Sequence, residues 1–276
     1  MEDNIMANER VDYQAITKNQ KETWGAARYQ PIALQIMDTS EDLIRTVDPH
    51  PKQRVLDLAC GTGNGALVAA RRDCDVVGID YAPSLIEQAR ERADAEGMAV
   101  DFRVEDVQEL PFPEESFDVV ISLFGVMFAP DQEKAASEML RVCKPGGKIG
   151  LVSWPPDGYA SDLLGAHARY MPPPPELKPP MRWGTKDGLQ ELVGNDVSSI
   201  ENEVCRTNFY ARSIEHLVEE YRTSFGPTVV TFANLEQRDQ EKLYNDMTEV
   251  IRQYNHANNG AAIVEAEYLQ SVAIRA

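Results

Sequence analysis

The chain contains 276 residues, of which 43% are hydrophobic and 8% aromatic, enough to bury one large α/β core with a cap. Its 45 acidic and 27 basic residues give a formal net charge of −18, which disfavours nucleic acids and anionic membrane surfaces as partners. Four cysteines without a Cys-x-x-Cys pair argue against a disulfide framework, and the sequence predicts no metal site. Because no run of 18 apolar residues occurs and the N-terminus is polar, we expect no membrane insertion and a cytoplasmic location.

The first predicted segment, residues 1–47, is an N-terminal helical arm that can act as a lid. Residues 1–18 lack strong periodicity and are interpreted as a loose arm. Helical character extends over 19–47, where Pro31 interrupts it, and a Pro-His-Pro triplet at 49–51 then forces a turn.

Strands and helices alternate regularly through residues 48–154. The predicted strands are 53–58, 75–80, 99–104, 117–124 and 148–154, and the predicted helices are 64–72, 84–96 and 131–143. Segment 117–124 is a nearly continuous apolar run, which is typical of a buried central strand in a parallel sheet. The alternation predicts a doubly wound, Rossmann-like α/β fold. Asp118 lies at the start of the predicted strand 117–124, on the side of the sheet opposite the carboxyl ends of the strands. We therefore expect it to have a structural role.

The pattern changes after Trp154, where prolines interrupt the alternation. Residues 155–258 are predicted to form a cap, a substrate-binding insertion that contributes one strand to the core and contains helices near 213–225 and 235–256. Residues 259–276 alternate between apolar and polar side chains, which predicts a C-terminal edge strand of the core.

A strand that ends in a glycine-rich turn is the most informative motif. Residues 55–65 read Val-Leu-Asp-Leu-Ala-Cys-Gly-Thr-Gly-Asn-Gly, and a helix follows. This order builds a nucleotide-sized site at the carboxyl end of the first strand, and Gly61-x-Gly63-x-x-Ala66 fits the dinucleotide fingerprint. We call residues 59–63 the glycine loop. The nearby carboxylate of Asp57 would not help a loop to bind phosphate. It would help a loop to bind a cationic ligand.

Further acidic and turn segments follow at regular intervals. Asp80 ends the second strand, near the offset of roughly 20 residues at which an acid binds a ribose diol. Both NAD and S-adenosylmethionine carry that ribose, so Asp80 does not separate them. The third strand ends in Val104-Glu105-Asp106-Val107, and the fourth and fifth strands follow the turns at 111–116 and 144–147.

Together these segments, over about residues 20–153, resemble the class I S-adenosylmethionine-dependent methyltransferases, in particular their ubiquinone/menaquinone-biosynthesis-like small-molecule subgroup. The resemblance implies a seven-stranded, mostly parallel sheet with an antiparallel edge strand and a helical cap. It also implies S-adenosyl-L-methionine as cofactor and a small-molecule acceptor. Residues 48–154 then form the cofactor-binding core.

The resemblance and the strand ends together assign the site residues. Asp80 is expected to accept hydrogen bonds from the ribose diol and Asp106 to accept from the adenine amino group. Tyr29 or Arg28 is expected to donate from the lid. Trp24, Arg28 and Tyr29 are interpreted as one helical face of that lid. The predicted cofactor-binding residues are Tyr29, Asp57, Ala59, Gly61, Thr62, Gly63, Asp80, Tyr81, Asp106, Val107, Leu123 and Phe124. The predicted substrate pocket consists of Trp24, Phe128, Trp154 and Trp183.

Methyl transfer by in-line displacement needs an aligned nucleophile and the exclusion of water more than it needs a base. No obligatory catalytic sequence is therefore expected, and the catalytic residue stays open. The candidate bases are His167, His216 and Tyr159, of which His167 on a predicted cap helix is the leading one; a packed helical histidine is its alternative interpretation.

Two other functions remain open at this point. One is an NAD-dependent oxidoreductase, although Tyr159 and Tyr170 lack a lysine four positions later. The other is a non-catalytic S-adenosylmethionine-binding protein. The leading hypothesis is methyl transfer to a small, hydrophobic acceptor, and the sequence does not indicate an oligomeric state.

Overall fold

Seven strands form one sheet at the centre of the computed structural model, which describes residues 11–276. Residues 1–10, the start of the predicted arm, lie outside the described residues. The strands are β1 Arg54–Leu58, β2 Asp75–Asp80, β3 Asp101–Val104, β4 Phe117–Leu123, β5 Cys143–Ser153, β6 Val197–Ala211 and β7 Ala262–Arg275. Their order is β3-β2-β1-β4-β5-β7-β6, with β1 to β5 parallel and β7 antiparallel to both of its neighbours. The predicted Rossmann-like sheet is confirmed.

Helices cover the sheet and build the cap. They are α1 Tyr13–Gly25, α2 Gln30–Gln35, α3 Met37–Val47, α4 Asn64–Ala70, α5 Pro83–Glu96, α6 Gln132–Val142, α7 Tyr159–Ala168, α8 Lys186–Val193, α9 Ile214–Ser224, α10 Gly226–Asn234 and α11 Gln237–Tyr254. None of the helices between residues 11 and 276 is both long and apolar enough to span a membrane.

The central strands place their carboxyl ends at one edge of the sheet. Val55, Leu56 and Leu58 of β1 have no exposed surface, and β1 lies between β2 and β4 in parallel register. Since all three strands run in the same direction, the residues that follow them meet at the same edge. This arrangement positions the glycine loop next to the ends of β2 and β4.

An antiparallel pair does close one edge of the described sheet, but the edge strand is β6, which runs in the same direction as β1 to β5, and not the C-terminal strand. Residues 259–276 were predicted to be that edge, whereas β7 lies between β5 and β6. Most residues of β7 are buried, including Val264, Tyr268 and Leu269, as expected of a strand covered on both faces. β6 instead exposes much of its length, including Val204, which is 61% exposed.

The starts of α1 and β5 differ from those predicted, each for a local reason. α1 begins at Tyr13, because the carboxylate of Asp12 accepts a hydrogen bond from the backbone N–H of Ala15 at 3.0 Å and caps it. β5 begins at Cys143 and includes the Pro-Gly-Gly turn, where the register with β4 shifts. α10 was not predicted as a separate helix.

Asp118 braces the edge of the sheet opposite the glycine loop. Its carboxylate accepts hydrogen bonds from the backbone N–H of Arg54 at 2.8 Å and from the Lys144 ammonium at 2.5 Å. Burial alone would raise the pKa of Asp118, but these two partners outweigh it and lower the pKa.

We therefore expect Asp118→Asn to lower the free energy of unfolding by about 1 kcal/mol at pH 7, because one charge-assisted bond is lost. The difference should shrink as the pH falls from the ordinary carboxyl pKa towards the lowered pKa of folded Asp118, because the unfolded chain binds the proton first. Urea unfolding at pH 7 and pH 3.5 measures both effects. Equal losses at the two pH values would contradict this account.

Candidate active site

A cavity opens at the carboxyl ends of β1, β2 and β4, and the cap closes it from above. Both predicted residue sets meet there, except Gly63 and Trp183. Those that line the cavity are Trp24, Tyr29, Asp57, Ala59, Gly61, Thr62, Asp80, Tyr81, Asp106, Val107, Leu123, Phe124, Phe128 and Trp154. The structure therefore brings the predicted cofactor site and most of the predicted substrate pocket into one space.

The two exceptions lie behind the cavity wall. Gly63 precedes α4 with φ +86°, and a Cβ there would lie 2.8 Å from the ring of Phe102, so this glycine supports the loop from behind. Trp183 is completely buried in a short 3₁₀ turn, where Gly184 packs against the backbone of Trp154. The assignment of Trp183 to the substrate pocket was wrong, because the proline-rich segment folds it into the core.

Asp80 links the end of β2 to the glycine loop. Its side chain is 4% exposed, and its two oxygens accept hydrogen bonds from the backbone N–H groups of Gly61 at 3.0 Å and Ala82 at 2.9 Å. Burial raises the pKa of Asp80 to about 6, although both backbone bonds oppose the rise. A carboxylate has about four acceptor positions, so Asp80 can accept further hydrogen bonds from a ligand in the cavity.

Asp57 contributes a buried carboxylate oxygen that has no partner. Its Oδ2 accepts from the backbone N–H of Ala66 at 2.7 Å, whereas Oδ1 is buried without a hydrogen bond within the described part of the chain. Burial first, and the charge of Asp80 second, raise the pKa of Asp57 to about 7 against the effect of the Ala66 bond. The hydroxyl of Ser40 on α3 also lines the cavity, buried and unpartnered. Unpaired buried oxygens of this kind fit a ligand that carries positive charge or donor groups.

Two strand ends hold non-glycine residues in the left-handed region of backbone space. Ala59 follows β1 with φ +50°, and Phe124 follows β4 with φ +56°. Both line the cavity, and a Cβ on Gly125 would lie only 2.3 Å from the carbonyl oxygen of Ala59. The two loops are thus pressed together in a strained conformation, a feature that is concentrated at functional sites.

Side-chain hydrogen bonds hold α1 over one end of the cavity. Gln108 donates from Nε2 to the carboxylate of Asp106 and to Thr17 Oγ1 of α1 at 3.0 Å. Ser84 donates to the carbonyl oxygen of Gly25 at the end of α1, at 3.1 Å. These contacts make α1 part of the wall of the site.

The predicted helical face of Trp24, Arg28 and Tyr29 does not exist, because α1 ends at Gly25. The side chain of Arg28 is 70% exposed and pairs with Glu91 at 3.3 Å, outside the cavity. Trp24 and Tyr29 do line the cavity, and burial raises the pKa of Tyr29, so its hydroxyl is a neutral donor. Of the two predicted lid donors, only Tyr29 faces the site.

Arg92 of α5 is a supporting residue that the sequence did not reveal. It is 7% exposed and donates to the carbonyl oxygen of Thr62 and to Asn64 Oδ1, both at 2.7 Å. Asn64 in turn donates to the carbonyl oxygen of Ala33 on α2 at 2.7 Å. The chain of bonds fixes the glycine loop between α5 and α2. Arg92 gave no signal because charged residues are common on the outer face of such a helix.

Aromatic rings from distant segments line the remaining wall, and most of them were also missed. The cavity is lined by Phe209 of β6, Tyr159 of α7, Tyr221 of α9 and Phe225 before α10. Neighbouring rings touch in a chain that begins and ends in segment 124–128, with centroids 3.8–6.4 Å apart: Phe124, Trp154, Phe209, Tyr221, Phe225, Trp24 and Phe128.

His167 does not line the cavity, and both ring nitrogens are already used. Nδ1 lies 2.7 Å from the carbonyl oxygen of Leu163, and Nε2 lies 2.8 Å from Thr228 Oγ1. Burial lowers the pKa of His167, which keeps the ring neutral. The candidate base is thus a packed histidine that ties α7 to α10. No three His, Cys, Asp or Glu side chains in the described residues are grouped to hold a metal ion.

Comparison with known proteins connects this geometry to one class. A family described as "Methyltransferase domain" matches residues 55–147. An uncharacterized protein of Mycobacterium tuberculosis, Rv1405c, is 31% identical over 261 residues, which are 93% of this chain and 94% of that protein. The demethylmenaquinone methyltransferase of Thermus thermophilus is 43% identical over 112 residues, or 40% of this chain and 50% of that enzyme.

A solved structure shares the fold at lower sequence identity. It is phosphoethanolamine N-methyltransferase 2 of Haemonchus contortus in complex with S-adenosyl-L-methionine, with a TM-score of 0.55 and 23% identity. The match covers 86% of this chain and 52% of that chain.

The unpaired Asp57 leads to a prediction about stability. Its pKa is raised from 3.8 to about 7, so the folded state binds a proton more tightly than the unfolded state, and the free energy of unfolding falls as the pH rises through that window. Asp57→Asn keeps the acceptor for Ala66 and removes the buried charge. We expect it to raise the free energy of unfolding by on the order of 2 kcal/mol at pH 8. Urea unfolding of the ligand-free protein at pH 8 and pH 5 tests this, since the gain should shrink at pH 5.

Proposed function

Since this chain belongs to the class I S-adenosylmethionine-dependent methyltransferases of the quinone-biosynthesis-like type, we propose that it transfers a methyl group to a small, hydrophobic acceptor by in-line displacement. The single observation that carries the proposal is the division of the cavity into two unlike halves. One half, from the glycine loop and the ends of β2 and β3, contains every carboxylate in the lining, and the other half is aromatic.

The polar half fits S-adenosylmethionine, the cofactor of this class. When bound, this cofactor supplies the methyl group and a sulfonium leaving group. The unpaired Oδ1 of Asp57 offers the negative charge that its cationic methionine portion requires, and the carbonyl oxygen of Ala59 lies in the same wall. Tyr29, neutral and half-buried, would donate a hydrogen bond to the carboxylate end.

The adenosine portion has its own set of acceptors. Asp80 would accept hydrogen bonds from the ribose hydroxyls with the acceptor positions that Gly61 and Ala82 leave free. Asp106 would accept from the adenine amino group, and the buried side chain of Val107 would pack against the ring. Leu123 and Phe124 would lie beneath the methionine chain.

The aromatic half favours an acceptor with an uncharged, apolar body. From residue 123 onward, every residue that lines the cavity is apolar, aromatic or glycine, and none is a carboxylate, an imidazole or a cation. The enclosing rings exclude water and hold the acceptor for attack, a contribution of roughly 7–11 kcal/mol when alignment is good. A nucleic acid or a membrane lipid headgroup would find no basic group in this half. A cytoplasmic location stays a prediction.

An NAD-dependent oxidoreductase is the weaker alternative. Its pyrophosphate would meet Asp57 and Asp80, two buried carboxylates, where a cation or hydrogen-bond donors are needed.

Calorimetry with S-adenosylmethionine, S-adenosylhomocysteine and NAD tests the proposed cofactor. We expect micromolar binding of the first two and none of NAD. Asp80→Ala should weaken binding by about 1–3 kcal/mol, the usual range for bonds to a charged group. Asp118→Asn, at the far edge of the sheet, is the matched control and should leave the affinity unchanged. Saturable NAD binding without a response to S-adenosylhomocysteine would reject the proposed cofactor. Turnover assays with a library of small acceptors then test the methyl transfer itself.

The charge of Asp57 should also make cofactor binding depend on pH. With a pKa of about 7 in the free protein, Asp57 is largely protonated at pH 5.5 and charged at higher pH, so affinity should rise toward pH 8. Asp57→Asn should weaken S-adenosylhomocysteine binding about tenfold at pH 8 and flatten this rise. Titrations of both proteins at pH 5.5, 7 and 8 measure the effect. Parallel pH profiles would show that Asp57 only braces the loop.

A further inference from the structure

Two phenol hydroxyls are the polar groups of the otherwise apolar aromatic half. The hydroxyl of Tyr159 on α7 lies 3.0 Å from that of Tyr221 on α9, and the two residues are 2% and 3% exposed. From residue 123 onward, the other residues of the cavity lining present no side-chain oxygen and only one side-chain nitrogen, the indole of Trp154. Burying two hydroxyls in such surroundings costs free energy unless both form all the hydrogen bonds they can, because each buried polar group needs a partner.

The pair leaves one hydrogen without an acceptor. Two hydroxyls carry two hydrogens, and Tyr159 donates one to Tyr221. The hydrogen of Tyr221 has no acceptor within the described residues, and Tyr221 is one of the residues that line the cavity. Burial raises the pKa of both phenols, so they stay neutral and act as donors rather than as bases.

The rings around the pair define the shape of what can reach it. Trp154 stacks on Phe124 with centroids 3.8 Å apart and planes at 14°, and the rings of Phe209 and Phe225 flank Tyr221. Such walls favour a flat, apolar ring, whose faces stack and whose edge points toward a donor. An anionic ligand would find no cation in this part of the lining.

We propose that Tyr221, oriented by Tyr159, donates a hydrogen bond to an uncharged oxygen, a carbonyl or a hydroxyl, on an aromatic-ring acceptor. The role of this contact in methyl transfer rests on the proposed function. The contact itself can be measured by ligand binding alone. Tyr221 is thereby a specificity-determining residue, and Tyr159 is a positioning residue that acts through it. A site built to bind an oxygen rejects a ring that lacks it, since the donor is then left buried and unpaired.

Equilibrium dialysis with three probes of similar size tests the contact: 1-naphthol, 1-methylnaphthalene and 1-naphthoate. The whole 276-residue chain is used with and without saturating S-adenosylhomocysteine, whose own binding is measured first. We expect 1-naphthol to bind about tenfold more tightly than 1-methylnaphthalene, and 1-naphthoate to bind more weakly than 1-naphthol.

The double variant Tyr159→Phe/Tyr221→Phe removes both hydroxyls together and leaves no orphaned partner, so it should fold. It should lose the preference for 1-naphthol and keep the affinity for 1-methylnaphthalene and S-adenosylhomocysteine. Tyr254→Phe is the matched control: its ring packs against Tyr159, but its hydroxyl donates to Asp162 outside the cavity, so the preference should persist.

Several outcomes would overturn the assignment: no preference in the native protein, the same preference in the double variant, loss of the preference in Tyr254→Phe, or tighter binding of 1-naphthoate. Absence of S-adenosylhomocysteine binding would instead reject the proposed function. The probe series without that ligand would still decide the role of Tyr221, so the two failures are distinguishable.

Discussion

Two carboxylates, buried side by side at the ends of neighbouring strands, set the geometry on which the site depends. Asp57 fixes the start of α4 through Ala66, and Asp80 fixes the glycine loop through Gly61. The charge of Asp80 raises the cost of keeping Asp57 ionised in a low-dielectric space, and so adds to the effect of burial on the pKa of Asp57. The protein can hold this arrangement because backbone N–H groups satisfy part of each carboxylate. What remains unsatisfied, Oδ1 of Asp57, fits a ligand that carries positive charge or donor groups.

The cap complements this charged base with a surface of the opposite character. Its rings come from segments far apart in the chain, among them α1, β6 and α9, yet they meet in one continuous chain of contacts. Apolar walls lower the local dielectric and so strengthen the electrostatic contacts of the polar half. Under the proposed function the two halves would support each other: the polar half would bind the charged cofactor, and the aromatic half would exclude the water that screens its charge.

The sequence was informative where chemistry is local. The strand, glycine loop and helix at 55–70 lie within one short segment, so their spacing predicted Asp57 and Gly61 in the cavity wall. Tyr221 and Phe209 escaped prediction because only the folded cap brings them to the site, and aromatic residues on a helix or strand are ordinary core residues in sequence. His167 and Trp183 were misassigned for the same reason: the contacts that bury them come from distant segments. The order of the last strands depends likewise on long-range pairing, which no local pattern encodes.

The position of β7 determines the order in which the strands of the sheet can pair during synthesis. Within residues 11–276, β6 pairs only with β7, which follows it by about fifty residues and lies between it and β5. During synthesis, 15 residues of β6 must therefore wait, with their backbone groups unpaired, until residues 262–275 leave the ribosome. Phe209 belongs to β6, so the aromatic half of the cavity is completed only at that moment, whereas β1 to β5 can pair earlier. A nascent chain would thus be able to form the polar half of its site before the half that encloses an acceptor exists.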